Sequence, residues 1–181
     1  MGDDTMVAVT TARYSILALS DGAPPPALQD VIERLRATLL PLGRETPTDR
    51  NMLGARIDRF VGDADRQVIL LAHGAGCRAA AWWARLSPSH YVQQVAGAIL
   101  VDPAVEDAGA RFASPATQLP FRSMTLDRTG QIEALAREWG SEVMPGDSAV
   151  RSGGLLRLID RLSGAVVAHE VRTAEKLATL R

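Results

Sequence analysis

The sequence has one cysteine, Cys77, and three histidines in 181 residues. A single thiol excludes an internal disulfide and agrees with a reducing, cytoplasmic setting. So small a stock of thiol and imidazole ligands argues against a structural metal site, and no cofactor is expected. No stretch reaches the ~18 consecutive apolar residues that a membrane helix needs. The opening Met1-Gly2-Asp3-Asp4 is acidic and no long apolar run follows it, so no secretory signal is expected. A basic stripe is missing too. Arginine far outnumbers lysine, yet the arginines are scattered and the formal charge is −1, so neither nucleic acid nor a membrane is an expected partner. There are no internal repeats.

What remains is ordinary for a globular protein of one domain: 46% hydrophobic residues, 23% charged, and enough chain to bury a core. Tyr14 to Leu19 is a short apolar run halted by Ser20-Asp21-Gly22, which reads as a buried strand. Pro24-Pro25-Pro26 introduces a helix expected from about Ala27 to Leu40, and a weak edge strand is expected at Arg44 to Thr48. A helix follows at Asn51 to Val61. Gln67 to Ala72 is the clearest strand, running through His73-Gly74-Ala75-Gly76-Cys77 into an Ala-rich helix at Arg78 to Ala84. Further strands are expected at Val95 to Val101, Arg122 to Leu126 and Ser141 to Met144, with helices at Gln131 to Trp139 and Gly154 to Leu162. A last amphipathic helix covers Ala165 to Leu180.

Strands alternating with helices predict parallel βαβ units: an α/β fold, a three-layer α/β/α sandwich around a mostly parallel sheet. The expected division is an α/β domain over residues 1–163 and a C-terminal helical extension of the same domain over 164–181. The tail can pack on its own domain or across a homodimer. Ligands of such sheets bind at the carboxyl ends of the strands, which directs attention to Ser20, Asp21, Gly22, His73 to Gly76, Asp102, Asp127 and Asp147.

A strand, a tight glycine-rich turn and a small-residue helix form the context of a nucleophile elbow. Here Ile69 to Cys77 resembles the elbow of the small serine hydrolases related to human retinoblastoma-binding protein 9 and the bacterial YdeN proteins, where the turn reads G-H-S-L-G. The resemblance continues along the chain. Tyr14 to Gly22 is similar to the first strand and its glycine-containing oxyanion loop, and Thr48-Asp49-Arg50-Asn51 to a Pro-Asp-rich stretch before a helix. Leu119-Pro120-Phe121-Arg122-Ser123 is similar to the segment entering the strand of the triad acid, and Trp139-Gly140-Ser141 to the approach to the triad histidine. The resemblance implies a compact α/β-hydrolase fold.

The family's functional residues do not carry over. The serine position holds Gly74, the base position falls on Gly146-Asp147, and Asp127 is displaced from the triad acid in a shortened segment. A serine triad needs a hydroxyl, an imidazole and an acid that orients it. Because three positions depart together, a lone Ser→Gly change does not account for the pattern.

Other residues are weighed against structural roles. Cys77 follows the elbow, where this family often has a packing cysteine, and reads as an inert small hydrophobe. His73, beside the nucleophile position, is either structural or an acid/base facing the pocket. His90 reads as a surface loop residue and His169 as a solvated helix position. Asp21, Asp102 and Asp147 cap turns or serve as pocket acids. Of the adjacent Trp82 and Trp83, one is expected in the core and the other toward a partner or pocket. The amides of Ala75 and the Ser20 to Gly22 loop would keep an oxyanion hole at a helix N-terminus. Two outcomes are expected: binding of a small acyl- or carbonyl-containing ligand or a protein partner through Ser20, Asp21, Gly22, His73, Gly74 and Ala75, or non-covalent catalysis (isomerase, cyclase or lyase type) with His73, Asp21, Asp102 or Asp147 as acid or base. Hydrolysis by a carboxylate-activated water is a third.

Overall fold

The computed structural model describes residues 2–43, 46–104, 111–114, 117–127, 130, 132–145 and 152–178. Strands β1 (Ser15–Ser20), β2 (Thr38–Pro41), β3 (Val68–His73), β4 (Val95–Val101), β5 (Arg122–Asp127) and β6 (Glu142–Pro145) form one sheet in the order β2-β1-β3-β4-β5-β6. Every pairing is parallel. The central strands are buried on both sides, and their residues alternate between two cores, as a period of two requires. Leu17, Leu19, Leu70 and Leu100 face one core; Ile16, Ala18, Ile69 and Ile99 face the other.

Helices cover both faces. On the first lie α3 (Pro47–Asp63), α4 (Ala75–Leu86), the short α5 (Ser89–Val92) and α6 (Glu133–Trp139); on the second lie α1 (Gly2–Arg13), α2 (Pro26–Arg34) and α7 (Ser152–Ala178). The result is a three-layer α/β/α sandwich. Local chemistry sets the helix starts. Pro26 fits the first position of α2, where no amide partner is needed. At α3, Thr46 accepts from Asp49 N at 3.1 Å and its hydroxyl reaches Asp49 Oδ2. No helix among the described residues is long and apolar enough to cross a membrane.

Several elements differ from the sequence reading. The helix expected to run to Leu40 ends at Arg34, and Thr38–Pro41 is an edge strand paired with β1. Leu35 and Leu39 mimic helical spacing, but Arg36 takes a left-handed φ of 51°, which stops the helix between them. The edge strand expected at Arg44 to Thr48 is not there: Pro47 and Thr48 open α3, and residues 44 and 45 lie outside the described residues. Helix α1 was not anticipated, because its polar and apolar residues follow no clear helical stripe. The two tail helices are one, since Ser163 returns its hydroxyl to Ile159 O at 2.8 Å and the turn closes without a break. His90 lies in α5 rather than a loop, though exposed as expected.

Candidate functional site

The chain passes from β1 outward to β2 and then back across β1 to β3, so the order of strands reverses between β1 and β3. In open α/β sheets the crevice at such a reversal is the usual ligand site. The loop after β1 carries Ser20, Asp21 and Gly22. The turn after β3 carries His73, Gly74 and Ala75.

Gly74 has φ 59° and ψ −127°, a conformation that strains any residue with a β-carbon and suits glycine. The turn is clamped by its neighbours. Gly74 N donates to Val101 O at 3.2 Å, and Gly74 O accepts from Cys77 N at 3.2 Å and Ala104 N at 3.1 Å. Helix α4 starts directly against β1: a β-carbon on Gly76 would lie 2.4 Å from the backbone oxygen of Leu19. Ala79, Ala80, Ala81 and Ala84 are buried and keep the helix close to the sheet along its length.

Asp21 fills the space above this turn. A β-carbon on Gly74 would lie 2.5 Å from Asp21 Oδ1 and 3.0 Å from its Cγ. Asp21 Oδ2 accepts the Ala75 N–H at 3.1 Å. A nucleophile elbow presents the amide after the nucleophile to the substrate's developing oxyanion. Here a side-chain carboxylate holds that amide, at a helix end where backbone N–H groups favour negative charge.

His73 joins the cluster. Its Nδ1 lies 3.4 Å from Ser20 Oγ and 4.0 Å from Asp21 Oδ1. In a serine triad the acid and the nucleophile contact opposite ring nitrogens, so that the imidazole relays a proton between them. In this cluster the hydroxyl and the carboxylate both approach Nδ1. Ser20 is buried, whereas the His73 and Asp21 side chains are 19% and 41% exposed. Gly22 is exposed beside them, with open space around it.

The other candidates have structural surroundings. Asp127 ends β5 and accepts Gly130 N at 2.7 Å and Ile132 N at 3.1 Å, capping the turn into α6. Asp102 follows β4 with a left-handed φ of 44°, which Asp tolerates in turns, and its N–H donates to Leu126 O at 3.1 Å. The Cys77 thiol is fully buried and donates to Val101 O at 3.5 Å; burial pushes its pKa far up, so the reactive thiolate is suppressed. Asp147 lies outside the described residues, as does the His169 side chain. Both tryptophans are buried, where one was expected toward a partner or a pocket. Trp83 donates to Asp58 Oδ1 at 2.7 Å, and Trp82 packs on Phe112 with ring centroids 5.9 Å apart. Among the described residues no three His, Cys, Asp or Glu side chains gather as a metal site.

Sequence reasoning selected Ser20, Asp21, His73, Gly74 and Ala75, and the fold brings them together. It did not foresee that Asp21 would take the Ala75 amide. The signal was a carboxylate one residue beyond a buried strand that neighbours the elbow strand.

A family model for serine hydrolases matches residues 44–150, more than half of the chain. The chain belongs to the serine hydrolase family. The matched stretch runs from α3 through β6 and contains the elbow. A crystal structure of a YdeN-like hydrolase from Pectobacterium atrosepticum superposes with a TM-score of 0.70, covering 92% of this chain and 99% of that one at 17% identity. This likeness extends the shared fold beyond the stretch of the family match. Among curated proteins, none matches the sequence.

Proposed function

We propose that this member of the serine hydrolase family no longer forms an acyl-enzyme and acts by non-covalent binding at the β1/β3 reversal. The observation that carries this reading is the pairing of Gly74 with Asp21. The elbow position has no hydroxyl, and an internal carboxylate lies where the nucleophile and the substrate oxygen would be. The departures at Asp127 and Asp147 point the same way. The reading favours a small ligand with an acyl or carbonyl group, or a segment of a protein partner that presents one. Its carbonyl oxygen would take the Ala75 N–H by displacing Asp21, and a donor on the same ligand would meet the displaced carboxylate.

Treatment with a fluorophosphonate probe tests the first half. No covalent adduct is expected, and an adduct on any serine overturns the proposal. Amide NMR spectra taken with a panel of small amides and esters test the second half. Saturable shifts at Ala75 and Gly76 support it; shifts confined to other parts of the chain count against it.

A second reading is favoured by the closeness of Ser20, His73 and Asp21: proton transfer without a covalent intermediate, in an isomerase-, cyclase- or lyase-type reaction. Deuterium exchange at carbons next to a bound carbonyl, abolished by His73→Ala, would favour this reading over simple binding.

A further inference from the structure

A cleft of about 600 Å³ opens beneath the amino ends of β1 and β2, at the sheet edge opposite the elbow. Small-ligand sites commonly span about 300–1,000 Å³. Its charge comes from Arg34, Arg36 and Arg66, and among the described residues no acidic side chain lines it. Ile16, Leu35 and Phe60 give it an apolar side. An adjoining hollow of about 520 Å³ shares Arg66 but sets Asp63 and Asp65 against three arginines, so the larger excess of positive charge belongs to the first cleft.

Two of the arginines are tethered at its edge. Arg66 donates through Nη1 to Thr11 O, at the end of α1. Arg34 lies 4.0 Å from Asp30, a long contact between partly exposed groups that contributes little.

Arg36 is the unusual one. It closes α2 with the bonds Arg36 N to Glu33 O and Ala37 N to Ile32 O, while its φ is 51°. Helix α6 ends with the same pair of bonds, Gly140 N to Arg137 O and Ser141 N to Ala136 O, and there the left-handed residue is glycine. Glycine is the usual occupant of this position because a β-carbon is strained in it. The chain thus carries a strained arginine at the rim of a cationic cleft. Among the described residues its guanidinium has no hydrogen-bond or ion-pair partner. An exposed arginine kept only for solubility could sit on any unstrained surface position.

We propose that this cleft binds a small anionic ligand, a phosphate ester or carboxylate with a compact apolar body, whose charged end lies among Arg34, Arg36 and Arg66. Guanidinium groups suit both anions through paired N–H donors. The cleft lies across the sheet from the elbow, so the proposal does not depend on how the elbow is used.

Amide NMR titrations at low salt with phenyl phosphate and with benzoate, and with benzyl alcohol as the neutral control, test it. Saturable shifts near residues 11, 15, 36 and 66 are expected with at least one anion and not with the alcohol. The tighter of the two anions identifies the headgroup. Arg36→Gly should weaken binding at least tenfold while leaving the melting temperature equal or higher, because glycine relieves the strain. The proposal is overturned if neither anion gives saturable shifts there, if the alcohol binds as well, if Arg36→Gly binds as tightly as the parent, or if that variant melts lower.

Discussion

A methyl group added at residue 74 meets two obstacles, and they can be measured separately. The first is the backbone: at φ 59° and ψ −127° a β-carbon brings about 1–3 kcal/mol of strain. The second is Asp21, whose Oδ1 lies 2.5 Å from the ideal β-carbon. The carboxylate has to swing out and lose its 3.1 Å bond from Ala75 N. With 41% of the Asp21 side chain exposed, screening reduces that charge-assisted bond to about 1 kcal/mol. Gly74→Ala should therefore destabilise the fold by about 2–4 kcal/mol in urea unfolding followed by circular dichroism. In an Asp21→Ala background only the strain remains, and the same methyl should cost about 1 kcal/mol less. The slopes of the unfolding curves should agree, so that midpoints report stability alone. Additivity of the two substitutions within ~0.5 kcal/mol would mean that Asp21 does not occupy the space over residue 74, and it would refute the reasoning.

Gly76→Ala should destabilise by about 3 kcal/mol or more, at the upper end of overpacking effects, because the obstructing atom 2.4 Å away is the Leu19 backbone oxygen and cannot rotate aside. Calorimetry would check this, and a loss under about 1 kcal/mol would refute the close approach of α4 to β1. Cys77 should resist iodoacetamide in the folded protein and react readily in urea, since burial both hides the thiol and suppresses the thiolate. Rapid labelling under native conditions would contradict this. Gly74→Ser, alone or with Asp21→Ala, should remain unlabelled by a fluorophosphonate, because a hydroxyl without a relaying imidazole is a weak nucleophile. Labelling of the double variant would show that a base survives at the site.

The fold was legible wherever one pattern had one meaning. Apolar runs such as Val68 to Ala72 and Val95 to Val101, short, rich in β-branched residues and closed by turn residues, read as buried strands of an α/β sheet, and both are. Legibility failed where two periodicities overlapped. Leu35, Leu39 and Leu40 satisfy a helix on paper, and nothing in Arg36 announces a left-handed residue, because glycine is the familiar marker of that position. In the tail, two helices were expected, one ending at Leu162 and the next starting at Ala165, yet Ser163 satisfies its hydroxyl within the turn and the helix continues. At the site, the elbow could be read because its glycines are dictated by backbone geometry. The side chain over it could not, since whether Asp21 caps its own loop or crosses to α4 depends on the spacing of β1 and β3.

The absence of a side chain at residue 74 and the carboxylate over it have a common physical basis. An elbow at the start of a helix exposes backbone N–H groups that lack partners within the helix. In a working hydrolase a substrate oxygen supplies the acceptor during the reaction, and water does so between turnovers. Such a site is held ready at some expense of stability. Asp21 supplies the acceptor permanently to Ala75 N, and it fits only because residue 74 has no β-carbon. The two residues therefore support one another. A serine at 74 excludes the carboxylate, and the carboxylate at 21 excludes the serine. On the proposed reading this mutual exclusion is what separates the binding form of the elbow from the acylating form. Restoring chemistry would then require changes on both strands of the reversal, together with a base.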